Sequence, residues 1–169
     1  VTANVNCFGD ATGSAKFTVT GFSLSGNYMV SEATTPPLLP YTKSVVGDVI
    51  TLNGLSQGTY SVTVQDNTTH CDVTKSVTIT QPAAVLDITA SASNVNCNNS
   101  SSVITVNPTG GKATYQYAFL EAGSTATPVF SNNTNVDTAV LTNAVTAGAV
   151  TTWDVDVYVK DSNGCTDFT

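Results

Sequence analysis

Leu55-Ser-Gln-Gly-Thr-Tyr-Ser-Val-Thr-Val-Gln-Asp-Asn-Thr-Thr-His-Cys71 is the stretch from which the rest of the chain can be read. Gly58 supplies a tight turn. Tyr60, Val62 and Val64 then alternate with Ser61, Thr63 and Gln65, the two-residue period of a strand with one buried face. Asp66 and Asn67 open a turn that delivers Cys71. The end of the chain repeats the plan. Val155, Val157 and Val159 alternate with Asp154, Asp156 and Lys160, and Asp161-Ser-Asn-Gly164 leads into Cys165.

The match extends further. Asn4-Val5-Asn6-Cys7 recurs as Asn94-Val95-Asn96-Cys97, an offset of 97 − 7 = 90. Val64-Gln65-Asp66 recurs as Val159-Lys160-Asp161, an offset of 161 − 66 = 95, and Cys71 recurs as Cys165, an offset of 94. The drift fits a few inserted loop residues in the second copy. A four-residue identity anchored on a scarce residue type marks a duplication. The two copies span 1–82 and 83–169, joined at Ala83-Ala84, a short glycine-free junction with limited room to flex.

Within the first copy, Lys16–Thr20, Tyr28–Val30, Val45-Val46, Val49–Leu52 and an alternating Val73, Lys75, Val77, Ile79 read as strands. Gly26-Asn27 and Gly47-Asp48 are turn signals, and Thr34-Thr-Pro-Pro-Leu-Leu-Pro40 is a loop, because proline donates no ladder hydrogen bond. In the second copy Val85–Ala92, Val103–Val106, Tyr115–Phe119, Ala139–Leu141 and Trp153–Val159 read as strands. Pro108-Thr-Gly-Gly111 is a turn and Ser131–Asn135 a polar loop. No window carries a capped helix pattern. The expected fold is all-β: two tandem Ig-like antiparallel β-sandwiches. Only four residues follow Cys165, against eleven from Asp72 to Pro82, so the second copy is expected to lack its last strand. The first lacks the lead-in that Val85–Ala92 gives the second, and the chain reads as part of a longer array.

Composition narrows the functional classes. Charged residues make up 10% of the 169 residues, well below the usual quarter, so the surface must be neutral and polar. Net charge is −7, and the five basic residues are all lysines, Lys16, Lys43, Lys75, Lys112 and Lys160, scattered along the chain. That argues against nucleic acid and against electrostatic binding to an anionic membrane. No apolar run is long enough to span a bilayer. No basic segment followed by an apolar stretch is present, so no signal peptide is visible.

The four cysteines allow three pairings. The repeat favours Cys7–Cys71 and Cys97–Cys165, one bridge per copy, each closing about 65 residues and contributing about 4 kcal/mol on a loop-entropy estimate. Free structural thiols are the alternative. Metal binding or nucleophilic catalysis would need closely spaced ligands or a histidine base, and the only histidine, His70, sits in a polar turn where the second copy has Gly164. No catalytic, metal or cofactor site is expected, and the chain is read as not an enzyme. Asp66 and Asp161 occupy equivalent positions and read as turn-forming residues that cap backbone amides. The competing reading is a calcium ligand with Asp10 or Asp72. Asp154 and Asp156 face one side of a strand, and nothing places two carboxyls across a cleft. Trp153, Tyr115, Tyr117 and Phe119 could form a sugar-stacking platform, but alternation puts Trp153 in line with the core valines. Asn67, Asn98, Asn99 and Asn132 fall in the Asn-x-Ser/Thr pattern, which arises by chance in so Asn/Ser/Thr-rich a chain.

These residues resemble a family. Val5-Asn-Cys7, then Leu55–Asp66, Cys71 and Ser76-Val-Thr-Ile-Thr-Gln-Pro82 look like the SprB-type repeat. The second copy is similar in Pro108-Thr-Gly-Gly111 before Tyr115 and in Asp161-Ser-Asn-Gly-Cys165, but lacks the Gly-Thr-Tyr triplet. The resemblance implies tandem Ig-like repeats in a very large surface adhesin of gliding Bacteroidetes, an extracellular location, and a role in attachment and gliding. It brings no catalytic residue. Its implied partners are neighbouring repeats of the same chain and a surface polysaccharide or other extracellular ligand. O-glycosylation at Asp-Ser/Thr-small apolar triplets, common in such proteins, would make Thr138 in Asp137-Thr138-Ala139 a candidate. The alternative function is a carbohydrate-binding or accessory module of a secreted enzyme.

Overall fold

A computed structural model of the chain describes residues 2–21, 26–35, 40–93, 104–132, 145–147, 150–152 and 154–169. Every regular element among them is a strand, and the paired strands run antiparallel. The chain divides into two compact units, Val1–Pro82 and Ala83–Thr169.

The first unit holds β1 (Thr2–Ala3), β2 (Gly13–Thr18), β3 (Tyr28–Thr35), β4 (Thr42–Val46), β5 (Val49–Leu55), β6 (Gly58–Asp66) and β7 (Asp72–Ile79). They form two sheets, ordered β1-β2-β5-β4 and β3-β6-β7. β6 is the central strand of its sheet. Its alternation works as the sequence requires: Tyr60, Val62 and Val64 are buried and meet Ile50, Leu52, Leu55 and Ala15 of the other sheet, with Val5 and Ile79 in the same core. The opposite face of β6 is dressed in hydroxyls. Ser61 pairs with Ser76 at 2.8 Å and Thr63 with Thr74 at 2.7 Å, rung beside rung. Cross-strand hydroxyl pairs of this kind let an almost uncharged surface remain hydrated.

β3 runs five residues past Val30, its expected end, and takes in the first two residues of the expected loop. Thr34 and Thr35 pair with Tyr60 and Thr59, so the proline-rich loop begins after them. Between the sheets, Tyr41 lies edge-on to Tyr60 with centroids 5.7 Å apart and donates to Glu32 at 3.2 Å. Lys43 on β4 pairs with the same carboxylate on β3. Burial first, and then the Glu32 charge, hold the Tyr41 phenol above its ordinary pKa.

Strand directions fix where the chain enters and leaves this unit. Gly13, at the start of β2, lies against Ile79 at the end of β7, whereas Phe17 and Val19 share a hollow with Val73 and Lys75. β2 therefore runs against β7, and β1, antiparallel to β2, runs parallel to β7. Val5 N–H donates to the Thr80 carbonyl at 2.9 Å, and the Asn4 side chain accepts from Thr80 N–H at 3.1 Å.

The second unit holds β8 (Asp87–Ala92), β9 (Ile104–Thr109), β10 (Gln116–Glu121), β11 (Val145–Ala147), β12 (Val150–Thr152), β13 (Val155–Lys160) and β14 (Thr166–Phe168). β8 pairs with β9, β11 with β12, and β13 lies between β10 and β14. Leu86, Ile88, Tyr117, Val157 and Val159 form its core, with Tyr115 and Phe119 packed against them. Two sequence expectations change here. A last strand is present: β14 pairs with β13, and Thr169 and Val157 exchange backbone hydrogen bonds of 2.9 and 3.0 Å. β14 spans three residues, against eight in its counterpart β7. Pro108 belongs to β9, opposite Ile88, rather than to the turn. Among the described residues β9 pairs only with β8, so a proline without an N–H is tolerated on its other edge. The strand expected at Ala139–Leu141 lies outside the described residues.

Gly110 shows how tightly the second unit closes. Its φ is +67°, and a Cβ there would lie 1.7 Å from the Val85 carbonyl oxygen. Gly123 has φ +75° but open space around it. Gly110→Ala should therefore destabilise the second unit by about 2 kcal/mol or more, and Gly123→Ala by about 1 kcal/mol from backbone strain alone. Urea unfolding of the two variants measures the difference; equal costs would contradict this packing.

Candidate functional site

The repeated feature with the most chemistry is the turn that ends each central strand. Asp66 closes β6 and is 4% exposed. Its Oδ1 accepts from Thr68 N–H at 2.7 Å and Thr69 N–H at 3.0 Å, while its backbone N–H donates to the Cys71 carbonyl at 2.9 Å. Asp161 closes β13 and is 3% exposed. Its Oδ1 accepts from Asn163 and Cys165 N–H, both at 2.9 Å, its Oδ2 accepts from Lys112 N–H at 2.9 Å, and its own N–H donates to the Cys165 carbonyl at 2.9 Å. A buried carboxylate is stable here because backbone donors replace water. Both carboxylates do the capping work read from the sequence.

The same geometry bears on the calcium reading. Asp66 Oδ1 and both Asp161 carboxylate oxygens accept from N–H donors, which a cation would have to displace. Asp10 lies in the β1–β2 loop, where its N–H donates to the Cys7 carbonyl at 3.2 Å, and Asp72 begins β7. Among the described residues, no three His, Cys, Asp or Glu side chains are grouped to hold a metal. His70 is exposed at φ +59°, a left-handed position filled by Gly164 (φ +91°) in the second unit. It therefore strains a turn that glycine forms freely.

The cysteines depart from the expected pairing. Cys7 is disulfide-bonded, and so is Cys165, but Cys71 is a free, exposed thiol. Cys7–Cys71 is ruled out by distance. Cys7 belongs to the loop anchored at the far end of β7, where Val5 meets Thr80 and Gly9 N–H reaches the Gln81 side chain at 3.0 Å. Cys71 immediately precedes β7, and eight extended residues span about 26 Å. A disulfide tolerates a Cα separation of about 7 Å at most. Cys97, and with it the expected Cys97–Cys165 bridge, lies outside the described residues, as does Thr138.

The sugar-stacking platform is not assembled from the tyrosines. Tyr117 is buried, and Tyr115 and Phe119 are half-buried against the core. The Tyr115 hydroxyl is used internally, donating to the Gly110 carbonyl at 2.6 Å. Trp153 lies outside the described residues. Asp156 is half-buried and accepts from Gly123 N–H at 3.2 Å, while Asp154 is exposed. What sequence reasoning missed is an open polar hollow beside the Asp161 turn, lined by Thr114, Gln116, Asn132, Lys160, Ser162 and Asn163 among others. Lys160 stands 5.5 Å from the centre of the Phe130 ring. Its residues are scattered over three segments, so no local motif announces it.

Against known families, residues 89–121 match the SprB repeat model. The matched stretch runs from within β8 to the end of β10 and contains Pro108–Gly111 and Tyr115. It falls on the second unit, whose motif resemblance is the thinner of the two. No curated protein and no solved structure matches the chain.

If the aspartates act as amide caps, Asp66→Ala and Asp161→Ala should each cost about 1–3 kcal/mol, because buried N–H groups lose their acceptor. Asn keeps an acceptor oxygen, so Asp66→Asn should recover part of the loss. Chemical unfolding of the four-member set, wild type included, reads this out. An alanine variant as stable as wild type would remove the carboxylate from the account.

Proposed function

We propose that the chain is a non-catalytic structural and adhesive module of a large, secreted cell-surface protein used in attachment and gliding. The match of residues 89–121 to the SprB repeat carries this reading. SprB repeats occur in secreted surface proteins, and a disulfide suits an oxidising extracellular setting.

Physical features support it. The first unit takes the chain in along β1 and lets it out along β7, parallel to β1. A pull on the two ends must then slide strands past each other, breaking many hydrogen bonds together. The hydroxyl-covered face of β6 and β7 offers neutral groups suited to polysaccharide or to another extracellular ligand. We read the first unit as Ig-like. The Tyr60 hydroxyl donates to the Ser56 carbonyl at 3.0 Å, a bond from the start of a core strand back to the preceding corner, as in Ig-type sandwiches. Neighbouring repeats of the same chain are its nearest partners.

A second reading, a carbohydrate-binding or accessory module of a secreted enzyme, rests on the polar hollow of the second unit. Glycan-array binding that Gln116→Ala and Asn132→Ala both abolish would favour it.

An antiserum raised against the 169-residue chain tests the first reading. It should label intact cells of the source organism and slow their attachment and movement on glass. Labelling only after permeabilisation would contradict a surface module.

A further inference from the structure

The first unit carries a hollow of about 210 Å³ on one side of its sandwich, lined chiefly by Phe17, Val19, Ile50, Val62, Val64 and Val73. The hollow is apolar, yet it opens to solvent. The start of β7 lies beside it, and there alternation fails to give burial: Val73 is 45% exposed, although it holds the inward phase of a strand whose Ile79 is fully buried. Among the described residues, β1 reaches only Ser14 and Ala15 of β2.

The second unit shows what covers the same face. There β8 pairs with β9 along six residues, Asp87 to Ala92. Ile88 and the preceding Leu86 enter one cluster with Val157 and Val159, which are equivalent to Val62 and Val64 (157 − 62 = 95, 159 − 64 = 95). The registers correspond. Ala92 lies opposite Ile104 as Thr2 lies opposite Ala15, and Asn94 is equivalent to Asn4. Four positions back from Ala92 is Ile88. Four positions back from Thr2 lies opposite Val19, four beyond Ala15, at the wall of the hollow.

We propose that this hollow is the seat of an added β-strand: an extended peptide with aliphatic residues two positions apart, as in Leu86-Asp87-Ile88, pairing antiparallel with β2 beyond Ala15. Backbone hydrogen bonds to the edge of β2 supply affinity, and the two aliphatic side chains filling the hollow supply register. Aliphatic side chains are favoured over polar ones, because six of the nine lining residues are apolar, the others being Thr18, Thr20 and Lys75.

The test adds Leu-Asp-Ile-Thr-Ala, the sequence of Leu86–Ala90, directly before Val1 of the full chain. The repeat places these five residues in the register of β8. The extension should raise the melting temperature of the first unit by about 5 °C and slow amide hydrogen exchange at least tenfold at Thr18 and Thr20, whose N–H groups face away from β5 because Val19 N–H donates to the Asp48 carbonyl. A control extension with aspartate at both aliphatic positions should leave both unchanged. So should the aliphatic extension in a Val73→Asp background, since Val73 is exposed enough to be replaced without unfolding the unit. The proposal is overturned if the aliphatic and the charged extensions behave alike, or if Val73→Asp leaves the gain intact.

Discussion

Each unit depends on a carboxylate buried at the end of its central strand. Asp66 and Asp161 are almost inaccessible to water, and each survives burial because its Oδ1 accepts two backbone N–H groups of the turn that follows. The acceptor fixes the turn, and the turn fixes where the next strand starts. β7 then pairs with β6 from Gln65↔Asp72 onward, and β14 with β13 from Lys160↔Thr166. At Asp161 the second oxygen also reaches Lys112, so the same group ties the turn to the segment ahead of β10. The valines of β6 and β13 supply hydrophobic stabilisation, but that is non-directional, and the aspartate specifies register.

Much of this was legible. The inward phase of Tyr60, Val62 and Val64 follows from alternation alone, and the duplication follows from Asn-Val-Asn-Cys and the Asp-led turns. The capping role of Asp66 and Asp161 follows from their place between a strand and a polar turn. What failed was inference about distance. Equivalent cysteines in two copies say that positions correspond; they do not say which cysteine meets which. A whole strand separates Cys71 from Cys7, and strand length converts to ångströms only once its two ends are placed. The second unit's last strand was underestimated for a related reason. Three residues have too little pattern to be recognised, but a preformed edge on β13 is enough to order them. Pro108 in β9 belongs to the same group: whether proline breaks a strand depends on which edge its missing N–H faces.

The candidate site was the least visible part. The tyrosines and Phe119 that alternate like a platform alternate because they build a core. The polar hollow near Asp161 draws on residues 114, 116, 132 and 160–164, which come together only through folding. The hydroxyl ladder of β6 and β7 lies between these extremes. Its residues could be read as solvent-facing, while their one-to-one pairing needed the register.

Low charge over the whole chain, and a hydroxyl-covered face and parallel terminal strands in the first unit, are the features on which the proposed adhesive role rests. The central claim is mechanical, that each unit unfolds as one body, the first by shear of its terminal strands β1 and β7. Single-molecule extension of the chain by its two ends, with disulfides reduced, tests it directly. The account predicts two discrete unfolding events, each lengthening the chain by about 280 Å of contour for a unit of some 80 residues. A smooth extension, or a succession of small steps as hairpins peel away singly, would contradict it.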